Sequence, residues 1–137
     1  MGHFKNPREI ISVLSSHVDD QNDGVRNNVM RVIGETVDRA KLKEIDITPF
    51  LNALDSPYTT DRNKALLVLS AAVNTASSKK LALQKGGDKL LAILRLQQPN
   101  NHDTAYIILK KISGKDFGST NVAAWEKWVA SARASLA

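Results

Sequence analysis

Val18-Asp19-Asp20-Gln21-Asn22-Asp23-Gly24-Val25-Arg26-Asn27-Asn28-Val29-Met30-Arg31-Val32-Ile33 lies without a gap over the stretch from Leu54 to Leu69, 36 residues further on. In that register Arg26 meets Arg62, Asn27 meets Asn63, Met30 meets Leu66, Val32 meets Val68 and Ile33 meets Leu69. A repeat of this length carrying apolar residues at helical intervals is the signature of stacked helix pairs, each too small to bury its own apolar face. Such stacks present surfaces for partners more often than pockets for chemistry.

Working outward, the first helix starts with Asn6 as cap, Pro7 at the first helical position and Glu9 in capping-box spacing. Ile10, Ile11, Leu14 and Val18 give it one apolar face, and it is expected to end near Val18. Asp23 is expected to cap the second helix, which turns Val25, Val29, Met30, Val32, Ile33 and Val37 inward. A short third helix is predicted around Pro49 to Leu54, and Thr59 or Thr60 is expected to cap a fourth that runs to Val73. Ser78 to Lys85 reads as a short helix stopped by Gly86-Gly87, followed by a helix from Asp88 to Leu96. Pro99-Asn100-Asn101 reads as a turn before a helix from Asp103 to Ile112. A shift of 43 lays Ala105, Ile108, Leu109 and Ile112 over Arg62, Ala65, Leu66 and Leu69, a degraded third copy. Ser113-Gly114 ends that helix, and Asn121 caps a last one from Val122 to about Ala134, with Trp125 and Trp128 on one face.

At 137 residues the chain has the size of one domain, and it has no cysteine, which excludes disulfides and thiolate chemistry. Aromatic content of 5% argues against a β-sandwich or barrel. No apolar run approaches the roughly 20 residues that span a bilayer, and a cytoplasmic protein is the expectation. The opening Met1-Gly2-His3 is equally consistent with a piece cut from a longer protein. The net charge of +5 is uneven: residues 1–68 hold nine Lys or Arg against ten Asp or Glu, and residues 69–137 hold ten against four. A basic half attracts anions, although a Lys-rich solvated surface explains the same numbers.

The turn Asp20-Gln21-Asn22-Asp23-Gly24-Val25-Arg26 resembles that of HEAT repeats, where an Asp stands six residues before an Arg that follows Val. The second copy, Ser56 to Asp61-Arg62, keeps the Arg but has Ser at the Asp position and Asp at the Val position. The third lacks both charged markers. Lys85-Gly86-Gly87, after a short extra helix, is more similar to armadillo repeats, and Gly114-Lys115-Asp116-Phe117-Gly118 with the two Trp resembles the endings of uncharacterised bacterial HEAT-repeat proteins. The resemblance implies an all-α, right-handed superhelix, a HEAT/armadillo-like solenoid of about eight helices. It implies one domain over 1–137, with repeats at about 7–38, 43–74 and 78–113 and a C-terminal cap at 114–134. It also implies that Arg26 and Arg62 tie neighbouring turns together through carboxylates such as Asp20, and that Phe117, Trp125 and Trp128 close the stack.

No catalytic constellation stands out, and the expectation is a protein that is not an enzyme and needs no cofactor. The Asp19 to Gly24 run has oxygens at calcium-loop positions, but Met30 stands where a bidentate Glu is required. Ser113-Gly114-Lys115 lacks the earlier Gly and the following Ser or Thr of a phosphate loop. His3, His17 and His102 share no ligand spacing, so no metal is expected. The remaining candidates are the outward positions of the second helices: Asn27, Asn28, Arg31, Asn63, Lys64, Leu67, Tyr106, Lys110 and Lys111. Arg31, Leu67 and Lys110 are equivalent in the repeat and are expected to form one line. These residues suit a protein or peptide partner, the plain alternative being a solvated face. Nucleic acid is the alternative partner, with Lys79, Lys80, Lys85, Lys89, Arg95, Lys110, Lys111 and Lys115 as phosphate contacts.

Overall fold

A computed structural model describes residues 6–42, 44–96 and 98–136. The opening Met1-Gly2-His3 and the first residue of the second repeat, Lys43, lie outside the described residues. Among the described residues the chain is all-helical, with seven helices and no strand: α1 (Pro7–Ser15), α2 (Asp23–Ala40), α3 (Thr48–Ala53), α4 (Thr59–Ala72), α5 (Ala76–Leu96), α6 (Pro99–Ser113) and α7 (Val122–Ala134). α1 packs on α2, α3 on α4 and α5 on α6, while α2, α4 and α6 pack in a row. α7 lies on α5. The shared core holds Met30, Ile33, Phe50, Leu66, Leu69, Leu90, Leu94, Ile108, Leu109 and Trp125. Of the apolar positions that the repeat aligned, Met30, Ile33, Leu66, Val68 and Leu69 are buried in the core, whereas Val32 is half-buried, and Val25, expected inward, is 38% exposed.

Local chemistry sets the helix ends. Asn6 Oδ1 accepts from Glu9 N at 2.9 Å, and Asn121 Oδ1 accepts from Ala124 N at 3.2 Å, as their positions predict. Gly114 ends α6 in the left-handed region at φ 70, where a side chain is strained. Other ends differ from expectation. Asn22, not Asp23, caps α2 by accepting from Val25 N, and Asp23 stands in the first turn, where its charge favours the helix dipole. Neither Thr59 nor Thr60 caps α4; the preceding turn is held instead by Ser56 Oγ, which accepts from Tyr58 N. α1 stops at Ser15, three residues before Val18. α6 begins at Pro99, because proline suits the first helical position, whose N–H has no partner within the helix.

The largest departure is at Gly86-Gly87. These glycines do not stop a helix; they lie inside the single helix α5, which replaces the two expected there and brings the total to seven. Their role is close approach. A Cβ on Gly86 would stand 2.8 Å from Leu51 Cδ2, and one on Gly87 3.0 Å from Val129 Cγ1. The likeness to armadillo repeats that rested on a glycine stop loses that support.

The turns between paired helices are laced by a polar ladder. Asp61, 4% exposed, accepts from Arg26 Nε at 3.0 Å, Asn27 Nδ2 at 2.9 Å and Ser56 Oγ at 2.8 Å. The next rung is Arg62 Nε donating to Asn101 Oδ1 at 3.1 Å, with Asn101 fully buried. Each Arg also donates to its own turn, Arg26 to Asp20 O and Gln21 O, Arg62 to Ser56 O. The expected carboxylate partner, Asp20, is thus corrected: it gives Arg26 a main-chain carbonyl, and its own Oδ1 accepts from Asn22 N. A buried guanidinium needs a compensating charge or oxygen, and Asp61 and Asn101 supply them from the following turn.

Candidate binding face

α2 and α4 approach closely because Gly34 offers no side chain: a Cβ there would stand 3.5 Å from Val68 Cγ2. Above that contact runs a groove of about 330 Å³, bordered by Arg31 and Glu35 of α2 and by Leu67 of α4, with Gly34, Ser70 and Ala71 as small residues along it. Leu67 is 44% exposed, a large apolar side chain at the rim. Arg31 is exposed and donates to both Glu35 oxygens at 3.2 and 3.4 Å, a surface pair worth a few tenths of a kcal/mol. Past Asp38 and Ser70 the groove continues into a second hollow of about 350 Å³ that reaches Lys41, Asn74 and Lys111. Residues three and seven positions apart share a helix face. Arg31, Gly34 and Asp38 therefore line α2 as Leu67 and Ser70, 36 residues after the first two, line α4, while Asn74, 36 residues after Asp38, follows just past the α4 end.

Arg31 and Leu67 are thus brought together at one hollow, while Lys110 borders neither of the two hollows. Its ammonium lies 4.4 Å from the centroid of the Tyr106 ring, a cation–π contact. Tyr106 donates its hydroxyl to Asp116 Oδ1 at 2.5 Å, and Asp116 also accepts from Gly118 N at 2.9 Å, so the pair clasps the loop after α6. The hydrogen bond holds the Asp116 carboxyl below its ordinary value and raises the Tyr106 phenol above its own. Lys111 is half-buried and donates to Ser70 O and to Asn74 Oδ1, satisfying a carbonyl near the end of α4. Burial, and then the neighbouring Lys79, lower its pKa, while Asp38 opposes the shift. Asn27 donates its amide to Asp61 and to Asp23 O, which makes it a ladder residue rather than a free ligand. Asn63 and Lys64 are half-buried and line neither hollow.

At the C-terminal end Trp125 is fully buried, donates Nε1–H to Gly118 O at 2.8 Å, and meets Phe117 edge-on at 4.8 Å. Trp128 stands edge-on to Trp125 at 6.5 Å and is half-buried. Of the other basic candidates, Lys89 pairs with Asp55 at 2.8 Å and Arg95 with Glu126 at 2.7 Å. Among the described residues Lys79, Lys80, Lys85 and Lys115 enter no ion pair. Among the described residues no group of three or more His, Cys, Asp or Glu is placed to hold a metal ion, and no helix is long and apolar enough to cross a membrane.

Sequence reasoning missed Asp61, Asn101, Glu35 and Asp38. The repeat carried a signal for the groove, since the 36-residue shift pairs Gly34 with Ser70 and Asp38 with Asn74. Comparison with family models, with curated proteins and with solved structures found no match to this chain.

Proposed function

We propose that this protein is a non-catalytic binding module, a right-handed HEAT-like solenoid of three helix pairs closed by α7, which holds a partner polypeptide along α2, α4 and α6. The observation that carries the reading is the groove between α2 and α4, where the repeat places Arg31 over Leu67, Gly34 over Ser70 and Asp38 over Asn74. A partner laid across successive repeats meets side chains at equivalent positions at each step, the geometry by which stacked helix pairs present an extended binding surface. Small residues give the groove its depth, Leu67 an apolar contact, and Arg31, Glu35 and Asp38 hydrogen-bonding groups for a main chain.

Phosphate-backbone binding is the second reading, favoured by Lys79, Lys80, Lys85 and Lys115, which among the described residues enter no ion pair. Three of the cations it would use, Lys89, Arg95 and Lys111, are engaged within the chain, which favours the polypeptide. Titrating labelled duplex DNA and single-stranded RNA at two salt concentrations, beside affinity capture with wild type and Leu67→Asp, separates the two. The proposal expects captured polypeptide that Leu67→Asp releases. Nucleic-acid binding that falls steeply with salt and survives Leu67→Asp would overturn it.

A further inference from the structure

The first-helix side of the molecule carries a second groove, distinct from the one between α2 and α4. α1 packs on α2 but stands off from α3, whereas α2 and α4 behind them are in close contact. The opening is a chain of three hollows. One of about 480 Å³ lies between the turn before α2 and the turn before α4, and is bordered by Asp19, Asp20, Asp55 and Tyr58. It shares Val18, Asp19, Pro49 and Asn52 with a second of about 350 Å³, which shares Ser15 and Asp46 with a third of about 340 Å³ beside Ile11, Glu44 and Ile45. The groove therefore runs the length of α1.

Its floor is apolar and its rim is acidic. Val18, Met30, Pro49 and Ala53 form the floor of the largest hollow, and Ile11 and Ile45 that of the third. Carboxylates of Asp19, Asp20, Glu44, Asp46 and Asp55 stand along the rim. Lys89 pairs with Asp55 at 2.8 Å, which leaves Asp19, Asp20, Glu44 and Asp46 as the rim carboxylates beside two arginines. Arg26 is held by the Asp61 carboxylate and by carbonyls of its own turn. Arg8 donates to the neutral Glu44 carbonyl and keeps its charge at the third hollow, so the acidic character is strongest in the two hollows around Asp19 and Asp46. Tyr58, 59% exposed, stands at one end with a ring that already faces Arg26 at 5.6 Å. Aromatic rings of this kind attract cations.

We propose that this groove binds an extended basic peptide, in which Lys or Arg residues alternate with apolar ones. Alternate side chains of an extended segment point to opposite sides, so its apolar residues reach the Val18–Pro49 floor. Its cations sit against Asp19 and Asp46, since Asp55 is already paired with Lys89 at 2.8 Å. A nine-residue helix rises about 13 Å, which accommodates about four extended residues along α1 and more across the Tyr58 hollow.

The test is fluorescence anisotropy with a labelled nine-residue peptide of alternating Lys and Leu, its Glu-Leu counterpart, and the protein in wild-type, Asp19→Asn/Asp46→Asn and Tyr58→Ala forms. Asp19, Asp46 and Tyr58 are exposed, and circular dichroism checks that each variant folds. Saturable binding of the Lys-Leu peptide is expected, weakened roughly tenfold by the double carboxylate change and also weakened by Tyr58→Ala. Leu67→Asp, on the other groove, should leave it unchanged. Equal binding of the Glu-Leu peptide, or no loss in the carboxylate variant, would overturn the proposal. Concentration-dependent dimers in sedimentation that the same carboxylate changes dissolve would assign the groove to a second copy of this chain and overturn it as well.

Discussion

Removing the Asp61 carboxylate should destabilise the fold more than any other single surface-edge change. Asp61 is 4% exposed and accepts three hydrogen bonds, from Arg26, Asn27 and Ser56. In Asp61→Ala the Arg26 guanidinium, on a side chain 14% exposed, keeps two carbonyls and the Tyr58 ring but loses its counter-charge. Breaking a buried pair from one side costs about 3–5 kcal/mol. The groups that Arg26 retains place the expected loss at the lower end, about 3 kcal/mol. For a chain of this length that corresponds to a fall in Tm of about 10 °C. Asp61→Asn keeps one acceptor oxygen, the arrangement that Arg62 and Asn101 already use at 3.1 Å. It should therefore cost less, about 1–2 kcal/mol. Urea unfolding monitored by circular dichroism reads both, with Asp19→Ala as the exposed control expected to stay within about 0.5 kcal/mol of wild type. The ladder argument is refuted if Asp61→Ala falls within that same margin, or if Asp61→Asn costs as much as Asp61→Ala.

Two further outcomes follow from the same packing. Gly34→Ala meets Val68 at an ordinary 3.5 Å and should gain about 0.5–1 kcal/mol in helix propensity, whereas Gly86→Ala drives a Cβ to 2.8 Å from buried Leu51 and should lose about 1 kcal/mol net; thermal melts that rank them the other way would contradict the close approach of α5 to α3. The Tyr106–Asp116 clasp has a pH signature. Asp116 is depressed below 3.8, so its contribution is present above that value and is lost as pH falls through the lower, folded one; Tyr106 is raised above 10.0, so its contribution is lost as pH rises through the higher, folded one. Carboxyl NMR should find the Asp116 titration moving up toward its ordinary value in Tyr106→Phe, and an unchanged titration would remove Tyr106 as the cause.

Where the sequence was legible, the reason was local chemistry. Asn6 and Asn121 cap the helices they precede because a short oxygen-bearing side chain reaches the third N–H on without help from the rest of the fold. The apolar periodicity likewise placed Ile33, Leu66, Leu69 and Ile108 in the core. What failed depended on a neighbour distant in sequence. Gly86-Gly87 looks like a helix stop until Leu51 and Val129 are seen against it. Asp61 looked like a spoiled apolar position because its partner, Arg26, is 35 residues away. Lys111 and Asn27 looked like free ligands, since nothing local shows that Ser70 O and the Asp61 carboxylate take them. The acidic groove beside α1 left no such trace, because it is a gap between helices and a one-dimensional pattern records contacts better than their absence, whereas the α2–α4 groove was foreshadowed by the pairing of Gly34 with Ser70.

The most direct test of the binding-module account is hydrogen exchange on the captured complex, free protein against bound. The account predicts added protection in α2 and α4 around Arg31 to Asp38 and Leu67 to Asn74, lost together with binding in Leu67→Asp. Protection confined to residues 15–20 and 44–58 would locate the partner in the acidic groove instead. Protection confined to α5, around Lys79 to Lys85, or no change on α2 and α4, would contradict the account.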